Sequence, residues 1–134
     1  MIVVDTNVIS YLLIAGDRTE ACRKVLQKDP SWAAPFLWRS EFRNVLCLHM
    51  RHSKMSLEGA ISRSKEAMKL LDGREYSITS ELLLELVQES PISAYDAEFV
   101  CLAERMETKL ITTDKKILKL CHRVAISPEE FIET

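Results

Sequence analysis

The chain begins with four apolar residues, Met1-Ile2-Val3-Val4, that run straight into Asp5, Thr6 and Asn7. A stretch with no alternating polar face reads as a strand covered on both sides, as in a parallel sheet. It also stops on a carboxylate, a group costly to desolvate unless something pairs with it. The pattern recurs at Leu110-Ile111-Thr112, a second buried strand followed by Thr113 and Asp114. Shorter strand-like runs fall at residues 31–34, 75–78 and 124–126. Helical periodicity fills the intervals at residues 8–14, 19–27, 37–50, 57–71, 80–89 and 93–107, with a helical turn through Ile117, Leu118 and Leu120. Ser93 is placed to cap the sixth helix. Ser127-Pro128-Glu129-Glu130 combines a capping box with proline at the first helical position, which opens a short final helix. Strands alternating with helices predict an α/β domain with a mostly parallel sheet. With 134 residues, three Gly and four Pro, there is material for a proper core and little for linkers, so the expectation is one domain over residues 1–134.

A formal net charge of −2 argues against a simple basic nucleic-acid binder, but the charge is segregated. From Arg39 to Arg74 there are eight Lys/Arg against four acids, and from Glu75 to Thr108 eight acids against Arg105 alone. Such segregation permits a basic face, although most charge runs are solvated helix surface. The four cysteines (Cys22, Cys47, Cys101, Cys121) are widely spaced with no C-x-x-C pair, which predicts reduced thiols. The apolar start is broken by Asp5 and Asn7 and has no basic residues ahead of it, unlike a secretory signal. A cytoplasmic location away from membranes is therefore expected. The stretch from Cys47 through His49 to His52 hints at zinc, but Cys47 and His49 point to different sides of a helix and no second ligand pair is present.

Four acids occupy positions that a bland globular fold would not choose. Asp5 and Asp114 directly follow strands, and in an open parallel sheet ligands gather beyond the carboxyl ends of the strands. On neighbouring strands the two would stand about 4.8 Å apart, close enough to share a cation. The competing reading is that each caps the helix after it. Glu41 falls on the apolar stripe formed by Leu37, Trp38 and Val45, and Asp96 shares a face with Phe99, Val100 and Ala103. An ordinary explanation for either is a salt bridge to Arg39 or Arg43, or partial exposure at the stripe's margin. Four acids meeting at one sheet edge would raise one another's pKa values unless a cation neutralised them. Oxygen-only ligation suits Mg²⁺ or Mn²⁺.

With Val3-Val4-Asp5-Thr6-Asn7, Ser40-Glu41 with Asn44-Val45-Leu46, Tyr95-Asp96-Ala97 and Thr112-Thr113-Asp114 in this order, the whole chain resembles the PIN-domain family of metal-dependent nucleases, and closely resembles its VapC-like toxin branch. The resemblance implies a PIN-like three-layer α/β/α domain with a small, mostly parallel sheet flanked by helices. It implies that Asp5, Glu41, Asp96 and Asp114 are the acidic catalytic quartet holding Mg²⁺ (or Mn²⁺), supported by Thr6, Asn7 and Thr112. It implies RNA phosphodiester hydrolysis that inhibits translation, a cognate antitoxin protein as partner, and a homodimer. One position departs from some relatives, which carry a polar or acidic residue three positions after the last aspartate. Here that residue is Ile117, so one tightly held ion and a weaker second one are expected.

Within this reading Asp5 is the direct ligand, Asp96 and Asp114 complete the set directly or through water, and Glu41 acts through water or orients the attacking water. Thr112 and Asn7 brace the carboxylates. Arg39, Arg43, Lys115 and Lys116 adjoin the acids in sequence and are candidates for gripping RNA phosphates. Leu12, Leu13, Phe36 and Trp38 are either core or a docking groove for the antitoxin, with core favoured. Three rival readings stand beside this one. A phosphatase of the haloacid-dehalogenase type also begins with a strand and an aspartate, but wants a second acid where this chain has Asn7. A PIN-like module that binds RNA or protein without cutting is the second. A housekeeping RNA-processing nuclease of the same chemistry is the third.

Overall fold

The computed structural model describes residues 1–134. Five short strands, β1 (Ile2–Val4), β2 (Trp32–Pro35), β3 (Glu75–Tyr76), β4 (Leu110–Ile111) and β5 (Ala125–Ile126), form one sheet in the order β3-β2-β1-β4-β5. Every pairing is parallel. The chain steps outward from β1 to β2 and β3 on one side, then returns to lay β4 and β5 on the other. The direction of winding therefore reverses between β1 and β4, which makes the crevice beyond their carboxyl ends the natural ligand site of the sheet. Val4 lies opposite Ile111 across this junction, so the residues after them, Asp5 and Thr112, emerge side by side.

The absence of polar alternation in β1 is explained by its cover on both faces. Ile2, Val3 and Val4 are buried, as are Trp32, Ala33, Ala34, Leu110 and Ile111 beside them. Each large aliphatic among them contributes roughly 1.5–3 kcal/mol by leaving water. The helix α6 (Ala94–Arg105) lies across β1, β2 and β4 and buries Ala97 and every residue from Phe99 to Ala103. The preceding helix α5 (Ser80–Glu89) packs on α6 and buries none of its own residues completely. The helices α1 (Thr6–Leu13), α2 (Thr19–Lys28), α3 (Trp38–His52), α4 (Leu57–Leu70) and α8 (Pro128–Glu133) pack among themselves, and the short α7 (Lys115–Leu120) follows β4.

Caps decide where several of these helices start. Ser93 Oγ accepts the Asp96 N–H at 3.0 Å and Ser127 Oγ accepts the Glu130 N–H at 3.1 Å, as the sequence indicates. The first helix begins at Thr6 rather than near residue 8, because Asp5 caps it and draws the first turn onto the strand end. A tie that spacing does not announce joins α3 to β3. Glu75 accepts two bonds from the Arg39 guanidinium, both at 2.6 Å, and one from Trp38 Nε1 at 2.7 Å. Trp38 is thus a core residue rather than part of a docking groove. Leu12 and Leu13 are partly buried against the same core, while Phe36 is exposed with the Arg39 guanidinium over its ring. All four cysteines are free thiols, and only Cys47 is exposed. No helix is long and apolar enough to cross a membrane.

Candidate metal and active site

Four separate segments deliver acids to one hollow. Asp5 ends β1, Glu41 stands in the first turn of α3, Asp96 in the first turn of α6, and Asp114 caps α7 after β4. Together with Thr6, Asn7, Asn44 and Val45 they line a cavity of about 240 Å³ at the carboxyl edge of the sheet. The carboxylates are held by short local bonds. Asp5 Oδ1 accepts the Thr6 N–H at 2.8 Å and Oδ2 accepts the Thr112 hydroxyl at 2.7 Å. The same Thr112 oxygen accepts the Asp114 N–H at 3.1 Å, so one buried hydroxyl links the two strand-end aspartates. Asp114 Oδ1 in turn accepts the Lys116 and Ile117 N–H groups. Capping and site placement are therefore one and the same act for Asp5 and Asp114.

Glu41 finds no arginine. Its Oε1 accepts the Thr6 hydroxyl at 2.7 Å, while Arg39 is committed to Glu75, whose carboxyl that bond holds below the usual range. Thr6 supplies the brace at Glu41, whereas Asn7, expected in a bracing role, is an exposed residue on the wall of the hollow. Arg39, expected near phosphate, has its fork turned to β3. Arg43 and Lys115 are exposed beside the site. Lys116 is closer to the acids, for it offsets part of the negative charge at Asp96.

The electrostatics are those of an anionic hollow. None of the four acids is in a salt bridge. Burial pushes the Asp5 carboxyl up to about 6, with the bond from Thr112 working against it and the charges of Glu41 and Asp96 adding to it. Glu41 is raised by burial, then eased by Thr6 and raised again by Asp96 and Glu98. Asp96 is raised by burial and by Asp114. The donors of this set are all carboxylate oxygens, and a hard divalent cation is the group that would neutralise them. No three of the acids close tightly enough on one point to grip an ion by themselves. The arrangement fits a cation that keeps several of its waters, as Mg²⁺ does. Ile117 is a buried core residue and adds no ligand.

Two residues escaped the sequence-derived site. Asn44 lines the hollow three positions after Glu41, a spacing that puts both on one helix face. Glu98 acts on Glu41 from two positions beyond Asp96, and no spacing rule would have singled it out.

Fold and site together define a parallel α/β domain with a carboxylate hollow at the point where strand order reverses. The family profile described as PIN domain matches residues 2–123, and the chain belongs to the PIN domain family. It is similar to ribonuclease VapC3 of Pyrobaculum aerophilum, with 24% identity over 119 residues that cover 87% of this chain and 91% of that one. Among solved structures, a crystal structure of a Pyrobaculum aerophilum protein matches with a TM-score of 0.77 and 20% identity, covering 98% of this chain and 91% of that chain. A toxin–antitoxin complex from Klebsiella pneumoniae matches with a TM-score of 0.70 and 20% identity, covering 96% and 98%.

Proposed function

We propose that this protein is a Mg²⁺- or Mn²⁺-dependent endoribonuclease and the toxin of a toxin–antitoxin pair. The observation that carries the reading is the convergence of four acids on one hollow with no salt bridge to any of them. Membership of the PIN domain family supports the chemistry, and the likeness to a VapC ribonuclease and to a toxin–antitoxin complex supports the role and the antitoxin partner.

Asp5 would hold the ion directly, Asp96 and Asp114 directly or through its waters, and Glu41 would complete the set through water. When bound, the ion would acidify an attacking water and offset charge building on the phosphate oxygens. The residues of the chain do the rest. Thr112 fixes Asp5 and the start of α7 in one relation, so the two strand-end carboxylates approach the phosphate together. Thr6 pins Glu41 Oε1, which leaves Oε2 free to orient the water and take its proton as the new P–O bond forms, while the ester P–O bond breaks and the departing oxygen takes a proton from solvent. Lys116, with Arg43 and Lys115 further out, would meet the non-bridging oxygens of the RNA backbone. The expected homodimer is a state that sedimentation of the purified chain reports.

The test is Asp5→Asn. Cleavage of single-stranded RNA in Mn²⁺ should fall by at least about a hundredfold, since even the outer supports of metal ligands are worth roughly 10–100-fold and Asp5 would hold the ion directly, while circular dichroism stays that of the wild type. Cleavage unchanged in this variant would sink the proposal.

A further inference from the structure

The basic segment from Arg39 to Arg74 has little to do in the acidic hollow itself, yet the surface leads from one to the other. A second hollow along α1 and α3 shares Asn7 and Val45 with the acidic one, and His49 lies at its far end. His49 also lines a third, open hollow of about 540 Å³ at the corner between α3 and α4, with Ser53, Ser56 and Arg63. No acid lines this corner. It receives the N-terminus of α4, a helix of 14 residues capped by Ser56, whose partial positive charge is offset in part by Glu58 in the first turn.

Arg63 is the unusual member. Its Nη1 donates to Gly59 O at 3.1 Å, but its Nε is buried and is the one buried side-chain polar atom of the protein without a hydrogen-bond partner. A donor left in that condition has given up water with nothing to replace it, which is unfavourable. A modest swing of the side chain into the hollow, onto an anionic acceptor, removes the cost and gives the guanidinium a bidentate target. The side chain thus stands at the edge of an open hollow in an arrangement that an anion would improve.

We propose that the α3–α4 corner is a phosphate-binding subsite in which Arg63, with His49 and the α4 N-terminus, grips a backbone phosphate of the RNA strand whose scissile phosphate lies over the acids. This rests on the nuclease reading above and adds the path of the substrate to it. A nucleic-acid strand carries a phosphate at every nucleotide, so a groove that begins at the cleavage site meets further phosphates along its length. An isolated acidic peptide would have no reason to start at a carboxylate hollow.

The test compares Arg63→Gln and Arg63→Lys on two substrates with Mn²⁺, a dinucleotide that covers only the acidic hollow and a single-stranded RNA long enough to run the groove. For Arg63→Gln, KM for the long RNA should rise about tenfold. The slope of log affinity against log salt should fall by about 0.7, the value for one phosphate contact on a single strand. Dinucleotide cleavage should stay at the wild-type rate, which also shows that the variant is folded, and Arg63→Lys should recover most of the salt slope. An unmoved KM and slope on the long RNA, with normal dinucleotide cleavage, overturns the subsite alone. Equal losses on both substrates overturn it too, because Arg63 then acts on the fold. Arg63-dependent binding of poly-glutamate with RNA affinity unmoved would assign the corner to an acidic protein instead. Failure of the wild type to cleave either RNA overturns the nuclease reading and the subsite together.

Discussion

Thr112 is fully buried, and its single hydroxyl serves Asp5 on one side and Asp114 on the other. Its bond is the largest influence holding the Asp5 carboxyl down against burial. Replacing Thr112 by Val keeps the shape and deletes that bond, so the pH at which cleavage appears should move upward. A rate–pH profile that stays in place would show that the hydroxyl does not brace the aspartate. Asp5 itself carries a stability consequence. Its folded-state pKa is about 6 against an ordinary 3.8, so between those values the folded protein binds more protons than the unfolded chain. Stability therefore falls as pH rises through that window and levels off above it. At 1.36 kcal/mol per unit the cost at neutral pH is on the order of 3 kcal/mol. Asp5→Asn should accordingly melt at a higher temperature than the wild type at pH 7 without added metal, with the difference closing below about pH 4. A variant melting at or below the wild-type temperature at pH 7 would contradict this.

At the scale of elements, the two strand-end aspartates join local architecture to chemistry. Asp114 caps α7 through two N–H groups, so Asp114→Asn should keep the melting temperature near that of the wild type while cleavage is lost. Asp114→Ala should lose cleavage and about 1 kcal/mol of stability as well. Equal melts for the two substitutions would argue that the cap contributes nothing. The alternation of apolar runs and helical periods was readable because each element signals itself within a few residues. Glu41 and Asp96 were readable for the opposite reason, as charges on stripes that burial should have kept apolar. What the sequence could not reveal lies between elements. Nothing local says that β4 lies beside β1, that Thr6 reaches Glu41 across 35 positions, or that Arg39 turns to Glu75 across 36. The last pairing shows the difficulty, since Arg39 stands two residues from Glu41 and its sequence neighbourhood points to the wrong carboxylate.

For the molecule as a whole, the acids form a field that a cation would relieve. Binding to the folded state alone raises stability by about 2.7 kcal/mol at a concentration one hundred times Kd. Mn²⁺ should therefore raise the melting temperature of the wild type by several degrees relative to EDTA, and should leave Asp5→Asn nearly unmoved. Equal shifts in both proteins would place the ion elsewhere. The segregation of charge along the chain was visible from composition, but only folding shows that one member of the basic stretch, Arg63, lines a hollow joined to the acidic one through shared walls.

The bond from Thr112 to Asp5 closes a loop of 107 positions, and it sits at the junction where the last strand of the central pair is laid down. A stretch of chain that ends before β4 carries Asp5, Glu41 and Asp96 but neither Thr112 nor Asp114. The hollow therefore needs the chain as far as Asp114, past the end of β4.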